Sequence, residues 1–291
     1  MQTGSLVAIV TPMQSDGGVD YASFDALIDW HVAEGTAALV VAGTTGESAT
    51  LTHEEHVELV GHAVACAAGR IPVIAGTGSN STRQTIELSR AVGKFAIDGY
   101  LVVTPYYNKP TQDGLVQHFS AIADAVDKPL MLYNVPGRTA CDMLPETVAR
   151  LAAHPRITAI KEATGEVERV ARLRELCGPD FGLYSGDDAT AREFMLAGGQ
   201  GVVSVTANVA PRAMQAMSEA AIAGDRARAE ELDAPLAALH RELFVESNPI
   251  PVKWALERLG RIPPGIRLPL TRLSEAAQPR VEAALQQAGL L

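Results

Sequence analysis

The sequence predicts a (β/α)8 TIM barrel followed by a small C-terminal helical region. Eight short apolar runs, rich in β-branched residues, alternate with longer amphipathic segments as far as about residue 224, a pattern typical of a parallel sheet covered by helices. Eight units of about 25–30 residues fit a barrel better than a doubly wound sheet. The G-x-G-x-x-G fingerprint of dinucleotide-binding folds does not follow the first run. We therefore expect a barrel over residues 1–224 and helices over residues 225–291.

The predicted strands are short apolar runs, as expected where a parallel sheet is buried on both faces. They span residues 6–10, 38–42, 72–76, 100–104, 130–134, 157–162, 182–186 and 201–205. Helical patterns lie between them, for example at residues 24–34, 54–68, 82–95 and 189–197. Thr52-His-Glu-Glu55 is a capping box that marks the start of one helix. After Gly224 the pattern becomes helical only, over residues 225–245, 251–259 and 273–288, with breaks at Asn248-Pro249 and Pro263-Pro264-Gly265.

Composition and charge limit the classes of partner. The 291 residues are 47% hydrophobic, enough for a sizeable core, and 24 basic against 34 acidic residues give a net charge of −10. Such a charge argues against nucleic acid or an anionic membrane surface as the main partner. We find no secretory signal in the sequence. No apolar run reaches about 20 residues, so a membrane span is not expected.

The three cysteines (Cys66, Cys141 and Cys177) form no C-x-x-C pair, which favours reduced thiols in a cytoplasmic protein.

Lys161 ends one of the predicted buried strands. A charged amine there is costly, and burial lowers the pKa of a lysine because desolvation penalises the ammonium form. The resulting neutral amine is a nucleophile toward carbonyl carbon. The simpler alternative is a strand-end lysine whose ammonium group extends to water.

Polar residues also follow four other predicted strands, at the barrel end that carries chemistry in this fold class. They are Thr44 and Thr45, then Tyr107, then Tyr133 with Arg138, and finally Ser185-Gly186-Asp187. Together with Lys161 this set suits imine chemistry on a keto acid, because hydroxyls and phenols move protons and arginine binds a carboxylate bidentately. Taken singly, the residues have simpler interpretations: a tight turn at Gly43–Gly46, a core tyrosine at Tyr133 and a solvated loop arginine at Arg138. Their convergence at five equivalent strand ends favours an active site.

Three motifs resemble metal or nucleotide sites but lack essential parts. In His53-Glu-Glu-His56 the second histidine comes one residue too early for H-E-x-x-H. The segment Gly76-Thr-Gly-Ser-Asn-Ser81 lacks the Gly-Lys pair of a phosphate loop. Asp187-Asp188 has no partner cluster of carboxylates at other strand ends, and we expect a solvated pair. No metal and no cofactor are therefore predicted.

The motifs in order resemble the pyruvate-dependent class I aldolases and lyases, in particular the dihydrodipicolinate synthases. The resemblance runs along the whole chain and rests on Gly43-Thr-Thr-Gly-Glu47, Thr104-Pro-Tyr-Tyr-Asn-Lys-Pro110, Tyr133-Asn-Val-Pro-Gly-Arg-Thr139, Ile160-Lys-Glu162, Tyr184-Ser-Gly-Asp187 and Asn248-Pro-Ile-Pro-Val-Lys253. It implies condensation of pyruvate with aspartate semialdehyde toward diaminopimelate and lysine, without a cofactor. It also implies a homotetramer built as a dimer of dimers.

The resemblance assigns roles to individual residues. Lys161 would form the Schiff base, while Tyr133, Thr44 and Tyr107 would relay protons, Tyr107 reaching into the neighbouring subunit. Thr45 would hold the pyruvate carboxylate, Arg138 that of the semialdehyde, and Gly186 and Val203 would line the site. Valine at 203 is a mild departure from the isoleucine often found there.

Two other functions stay open at this point. One is a sister aldolase that acts on a sugar acid such as N-acetylneuraminate or 2-keto-3-deoxygluconate, although such enzymes lack the Gly-Arg-Thr turn at Arg138. The other is a non-catalytic barrel that senses a keto acid, which the presence of Lys161 and Tyr133 disfavours.

A second set of residues resembles the lysine feedback site of the family. The set is Ser48, Ala49, His53, His56, Asn80, Gln84 and Tyr106. Gln84 departs from the glutamate often found there, so a charge that would meet an amino group of lysine is missing. A charge-assisted contact contributes about 1.5–3 kcal/mol, and we therefore expect weakened lysine inhibition. The alternative for the two histidines is that they are ordinary surface residues at the start of a helix.

Overall fold

The computed structural model describes residues 2–291 and contains a closed barrel of eight parallel strands in chain order, with the first strand paired to the eighth. The strands are β1 (Gly4–Ala8), β2 (Ala38–Val41), β3 (Val73–Gly76), β4 (Gly99–Val103), β5 (Leu130–Asn134), β6 (Ile157–Glu162), β7 (Gly182–Ser185) and β8 (Gly201–Ser204). The predicted (β/α)8 barrel is confirmed. Among the strands, the largest boundary error is at β1, which ends at Ala8 because the Val10 amide donates to the Asn208 side chain instead of a neighbouring strand.

Helices surround the barrel and continue beyond it. They are α1 (Tyr21–Glu34), α2 (His53–Ala67), α3 (Thr82–Val92), α4 (Gln112–Ala125), α5 (Pro136–Thr139), α6 (Pro145–Ala152), α7 (Arg169–Cys177), α8 (Ala191–Leu196), α9 (Pro211–Ile222), α10 (Arg226–Asp233), α11 (Ala237–Glu242), α12 (Ile250–Arg258) and α13 (Gln278–Gln287). The predicted capping box of α2 is confirmed, since Thr52 and Glu55 bond each other's backbone amides at 3.2 and 2.9 Å.

Side chains on each strand alternate between two apolar layers. One layer fills the barrel interior, and the other lies between the strands and the helices. On β5 the alternation places Met131 and Tyr133 inside, and on β6 it places Ala159 and Lys161 inside. Both strands end one residue later, so Tyr133 and Lys161 occupy the interior at its C-terminal end.

The region after β8 and α9 is helical, as predicted, but the single helical segment expected over residues 225–245 is divided. A 3-10 turn at Ala234–Leu236 separates α10 from α11 because Pro235 has no amide proton to continue the hydrogen-bond ladder. Helix α12 lies against the turn Thr206–Asn208 that follows β8. The division of the chain at residue 224 stays a prediction. Within residues 2–291 no helix has the length and apolar character needed to cross a lipid bilayer.

Candidate active site

Lys161 and Tyr133 form the centre of the candidate site. The two residues are register partners on β6 and β5, each is 6% exposed, and the Lys161 amine lies 4.1 Å from the centroid of the Tyr133 ring. Within residues 2–291 no carboxylate forms a salt bridge with this amine. A strand-end lysine extending to water would be far more exposed, so the structure favours the interpretation of Lys161 as a buried reactive amine.

Gly186, just after β7, leaves the space that the Lys161 side chain occupies. A Cβ atom at position 186 would lie 2.9 Å from Lys161 Cε and 2.6 Å from the Ala163 methyl group. The Gly186 amide donates to the Glu162 carbonyl at 2.7 Å, and this bond fixes the backbone beside Lys161. Val203 on β8 is buried in the same interior layer. The predicted lining residues Gly186 and Val203 therefore do adjoin the barrel interior that holds Lys161.

The loop after β2 places Thr44 and Thr45 beside the reactive pair. Both threonines line a small cavity together with Lys161 and Tyr133. The loop is tightly folded, and Glu47 has a left-handed backbone with φ +57°. The structure thus brings four of the predicted catalytic and substrate-binding residues to one cavity.

Two contacts from the C-terminal region hold this loop. Glu47 and Lys253 form a buried salt bridge, and burial lowers the pKa of Lys253 while the Glu47 carboxylate opposes that change. The Asn248 side-chain amide donates to the Thr45 hydroxyl at 3.0 Å. Asn248 and Lys253 lie in one motif of the resemblance, which assigns no role to either residue. The only signal was that motif, more than 200 residues from the loop.

Arg138 lies on the one-turn helix α5, close to but outside the small cavity. It is exposed, and its guanidinium donates to the Asn248 carbonyl at 3.3 Å. Arg138 and Asn248 line a broad cavity that also reaches Thr44. A guanidinium at this entrance can bind the carboxylate of a second molecule that approaches Lys161.

Tyr107 is the predicted catalytic residue that the structure does not bring to Lys161 within one chain. It is 88% exposed and has a left-handed backbone with φ +75°. Its amide donates to the Thr139 carbonyl at 3.3 Å, so the backbone is held while the ring extends into solvent. An exposed aromatic ring on a constrained backbone suits contact with a second molecule.

Six of the seven residues predicted to bind lysine line the broad cavity: Ser48, Ala49, His53, His56, Gln84 and Tyr106. The exception is Asn80, whose backbone carbonyl accepts from the Asn108 side chain at 2.8 Å. His56 is buried rather than a surface residue; its Nε2 donates to the Gly76 carbonyl at 2.7 Å, and burial lowers the pKa of its ring. His53 is exposed.

The expectation of a solvated Asp187-Asp188 pair is wrong. Asp188 is 3% exposed, and its carboxylate accepts from the Val205 and Thr206 amides at 2.9 and 3.0 Å, so it fixes the chain after β8. Asp187 accepts from the Thr190 amide and hydroxyl at 3.1 and 2.6 Å. Among the described residues, no group of three or more His, Cys, Asp or Glu side chains could hold a metal ion.

Comparison with known proteins identifies relatives over the whole chain. A model of the dihydrodipicolinate synthetase family matches residues 1–288. The 4-hydroxy-tetrahydrodipicolinate synthase of Alcanivorax borkumensis is 60% identical over 100% of this chain and 99% of its own length. That of Methylococcus capsulatus is 59% identical over 100% of both chains.

Solved structures show the same relationship. The chloride-inhibited dihydrodipicolinate synthase of Acinetobacter baumannii complexed with pyruvate has a TM-score of 0.98 and 52% identity, with 99% of each chain covered. The Cyanidioschyzon merolae enzyme with lysine bound has a TM-score of 0.96 and 44% identity, also with 99% of each chain covered. The function predicted from the motifs, that of a 4-hydroxy-tetrahydrodipicolinate synthase, is confirmed in preference to that of a sugar-acid aldolase. The chain belongs to the dihydrodipicolinate synthetase family.

Proposed function

We propose that Lys161 forms a Schiff base with pyruvate and that the chain condenses this adduct with L-aspartate 4-semialdehyde, in the diaminopimelate route to lysine. The observation that carries the proposal is the buried Lys161 amine, which has no carboxylate partner within residues 2–291 and lies over the Tyr133 ring at the C-terminal end of the barrel. An amine in that setting attacks a keto carbon without first breaking an ion pair. Relatives named for this reaction, one of them complexed with pyruvate, support it.

The reaction proceeds through covalent intermediates on Lys161. The neutral amine attacks C2 of pyruvate to form a carbinolamine, and loss of water leaves an iminium ion. Loss of a proton from the methyl group then gives an enamine, in which the iminium nitrogen has taken up the electron pair. The enamine carbon attacks the aldehyde carbon of the second substrate, which forms the new carbon–carbon bond and regenerates the iminium ion, while the aldehyde oxygen takes up a proton and becomes a hydroxyl. The amino group of the second substrate then attacks the iminium carbon, and the carbon–nitrogen bond to Lys161 breaks, which releases the lysine amine. No external electron acceptor is required.

Tyr133, Thr44 and Tyr107 are proposed to move the protons. The Tyr133 ring is already within 4.1 Å of the Lys161 amine, and Thr44 lines the same small cavity. Tyr107, being exposed, completes the relay only from a neighbouring copy of the chain. The site therefore needs at least a dimer, and a homotetramer built as a dimer of dimers in the cytoplasm is the assembly we propose.

The two carboxylates bind at different depths. Thr45 and the Thr44 backbone are proposed to hold pyruvate, because they line the small cavity with Lys161. Arg138 is proposed to hold the semialdehyde, because it lies at the entrance on α5. Gly186 and Val203 adjoin the barrel interior that holds Lys161, and we propose that they line the adduct.

Removal of the Arg138 guanidinium should affect the second substrate alone. In Arg138→Ala the KM for aspartate semialdehyde should rise about tenfold or more, because a charge-assisted bidentate contact is lost, while borohydride trapping of pyruvate continues. Steady-state kinetics with each substrate varied in turn, and trapping at several pyruvate concentrations, measure the two effects. If only the pyruvate concentration for half-saturation rose, the two carboxylates would be assigned to the wrong residues. Wild-type turnover of N-acetylneuraminate equal to that of the semialdehyde would contradict the proposed function itself.

Lysine is proposed as an effector that binds the broad cavity beside Ser48, Ala49, His53, His56, Asn80, Gln84 and Tyr106. Support comes from the relative with lysine bound and from the shared cavity that six of these residues line. The Gln84 carbonyl oxygen accepts from the Ser79 hydroxyl at 3.1 Å, but it has no charge to attract an ammonium group.

Restoring the charge should strengthen inhibition. Gln84→Glu should lower the lysine concentration for half-inhibition by about tenfold, and added salt should reduce the gain because position 84 is exposed. Inhibition curves at low and high ionic strength measure this, with Gln286→Glu on α13 as the control, because it adds the same charge at an exposed position that does not line the broad cavity. Calorimetry that detects no lysine binding to the wild type at millimolar concentration would contradict the effector role and leave the catalytic assignment intact.

A further inference from the structure

Asn248 contacts both residues to which we assign substrate carboxylates. Its side-chain amide donates to the Thr45 hydroxyl at 3.0 Å, and its backbone carbonyl accepts from the Arg138 guanidinium at 3.3 Å. Asn248 is 6% exposed and Thr45 is 2% exposed, so water competes little for the bond between their side chains. A residue more than 200 positions from the β2 loop thus links the two binding groups.

The direction of the Asn248–Thr45 bond determines what the threonine can offer a ligand. A hydroxyl has one proton to donate and two lone pairs that accept. Because the Asn248 amide donates to Thr45, one lone pair is used and the proton is left free. Within residues 2–291 the Thr45 hydroxyl makes no second hydrogen bond, and the residue lines the cavity that contains Lys161.

We propose that Asn248 is a positioning residue that makes the Thr45 hydroxyl a hydrogen-bond donor toward the pyruvate carboxylate. A carboxylate only accepts hydrogen bonds, so a hydroxyl that turned its lone pairs to it would repel it. The bond to Asn248 removes that unfavourable orientation before pyruvate binds, which lowers the ordering cost of binding. This inference rests on the proposed function, specifically on Thr45 as the carboxylate ligand.

Two substitutions of Asn248 separate this role from a packing role. Asn248→Ala removes the donor and lets the hydroxyl rotate, and half-saturating pyruvate should rise about threefold to tenfold. Asn248→Asp keeps the shape of the side chain but replaces the donor with a negatively charged acceptor. The Thr45 hydroxyl then donates its hydrogen bond to this carboxylate instead of to pyruvate. The effect of this variant should be larger, roughly tenfold or more beyond the alanine variant. If Asn248 served only to fill space, the isosteric variant would be the milder one.

The test measures pyruvate half-saturation of borohydride trapping, which needs no second substrate. Wild type, Asn248→Ala, Asn248→Asp, Thr45→Val and the Thr45→Val/Asn248→Ala double variant are compared, with melting temperatures to confirm folding. The Asn248→Ala effect should vanish in the Thr45→Val background, since the amide acts through the hydroxyl. The inference would be overturned if the effects of Asn248→Ala and Thr45→Val on pyruvate half-saturation were additive in the double variant. It would also be overturned if Asn248→Asp bound pyruvate better than Asn248→Ala. A wild type that traps no pyruvate would instead contradict the proposed function.

Discussion

Replacement of Lys161 by arginine should abolish turnover. Guanidinium stays protonated at all working pH values and cannot attack the pyruvate carbonyl, so the Schiff base does not form. The expected loss in kcat is about 10³-fold or more, the scale seen when a covalent nucleophile is removed. Coupled assay with pyruvate and aspartate semialdehyde measures the loss.

A matched lysine elsewhere provides the control for this substitution. Lys94 is exposed on the segment after α3, away from the cavity that contains Lys161. Lys94→Arg should keep wild-type kcat, since it changes neither charge nor packing at the site. Turnover in Lys161→Arg within about tenfold of wild type would exclude lysine imine chemistry, because no other amine lines that cavity.

Replacement of Tyr133 by phenylalanine should also have a large effect. The ring beneath the Lys161 amine is retained, and only the hydroxyl is lost. Loss of a general acid–base group lowers rates by about 10²–10⁴-fold, whereas a packing role would leave turnover nearly unchanged. Single-turnover kinetics after mixing with pyruvate would place the defect in formation of the adduct.

Tyr184 offers a second interior tyrosine for comparison. It is the register partner of Lys161 on β7, but its hydroxyl donates to the Gln2 carbonyl at 2.7 Å, toward the opposite end of the barrel. Tyr184→Phe should lower the free energy of unfolding by about 0.5–1.5 kcal/mol and leave kcat unchanged. Equal kcat values in the Tyr133→Phe and Tyr184→Phe variants would show that the Tyr133 hydroxyl moves no proton.

Much of the fold follows from local patterns. Apolar runs alternating with amphipathic segments predict eight strands and their helices because each element must bury its apolar face. Boundaries and breaks were harder to predict, since they depend on contacts distant in sequence. Strand β1 ends early because the Asn208 side chain accepts a hydrogen bond from the Val10 amide. Pro235 divides a segment whose sequence has a continuous helical pattern.

The site residues that lie at the ends of strands could be predicted from the sequence. Lys161, Tyr133 and Thr44 each follow from the rule that the C-terminal ends of barrel strands carry chemistry, and the structure brings them together. Asn248 carries no such local signal, because its role comes from a contact with Thr45 across the fold. The buried partners Glu47 and Lys253 are likewise far apart in sequence. The role proposed for Tyr107 depends on a neighbouring copy of the chain, and within one chain the residue is 88% exposed.

Reduction with sodium borohydride in the presence of pyruvate tests the central claim most directly. Hydride from borohydride adds to the iminium carbon and converts the reversible carbon–nitrogen double bond into the stable single bond of a secondary amine. Mass spectrometry should then find a three-carbon adduct on the single peptide that contains Lys161, with none in Lys161→Arg and none when pyruvate is omitted. An adduct on another lysine, such as Lys253, or no adduct at all, would contradict the Schiff-base mechanism.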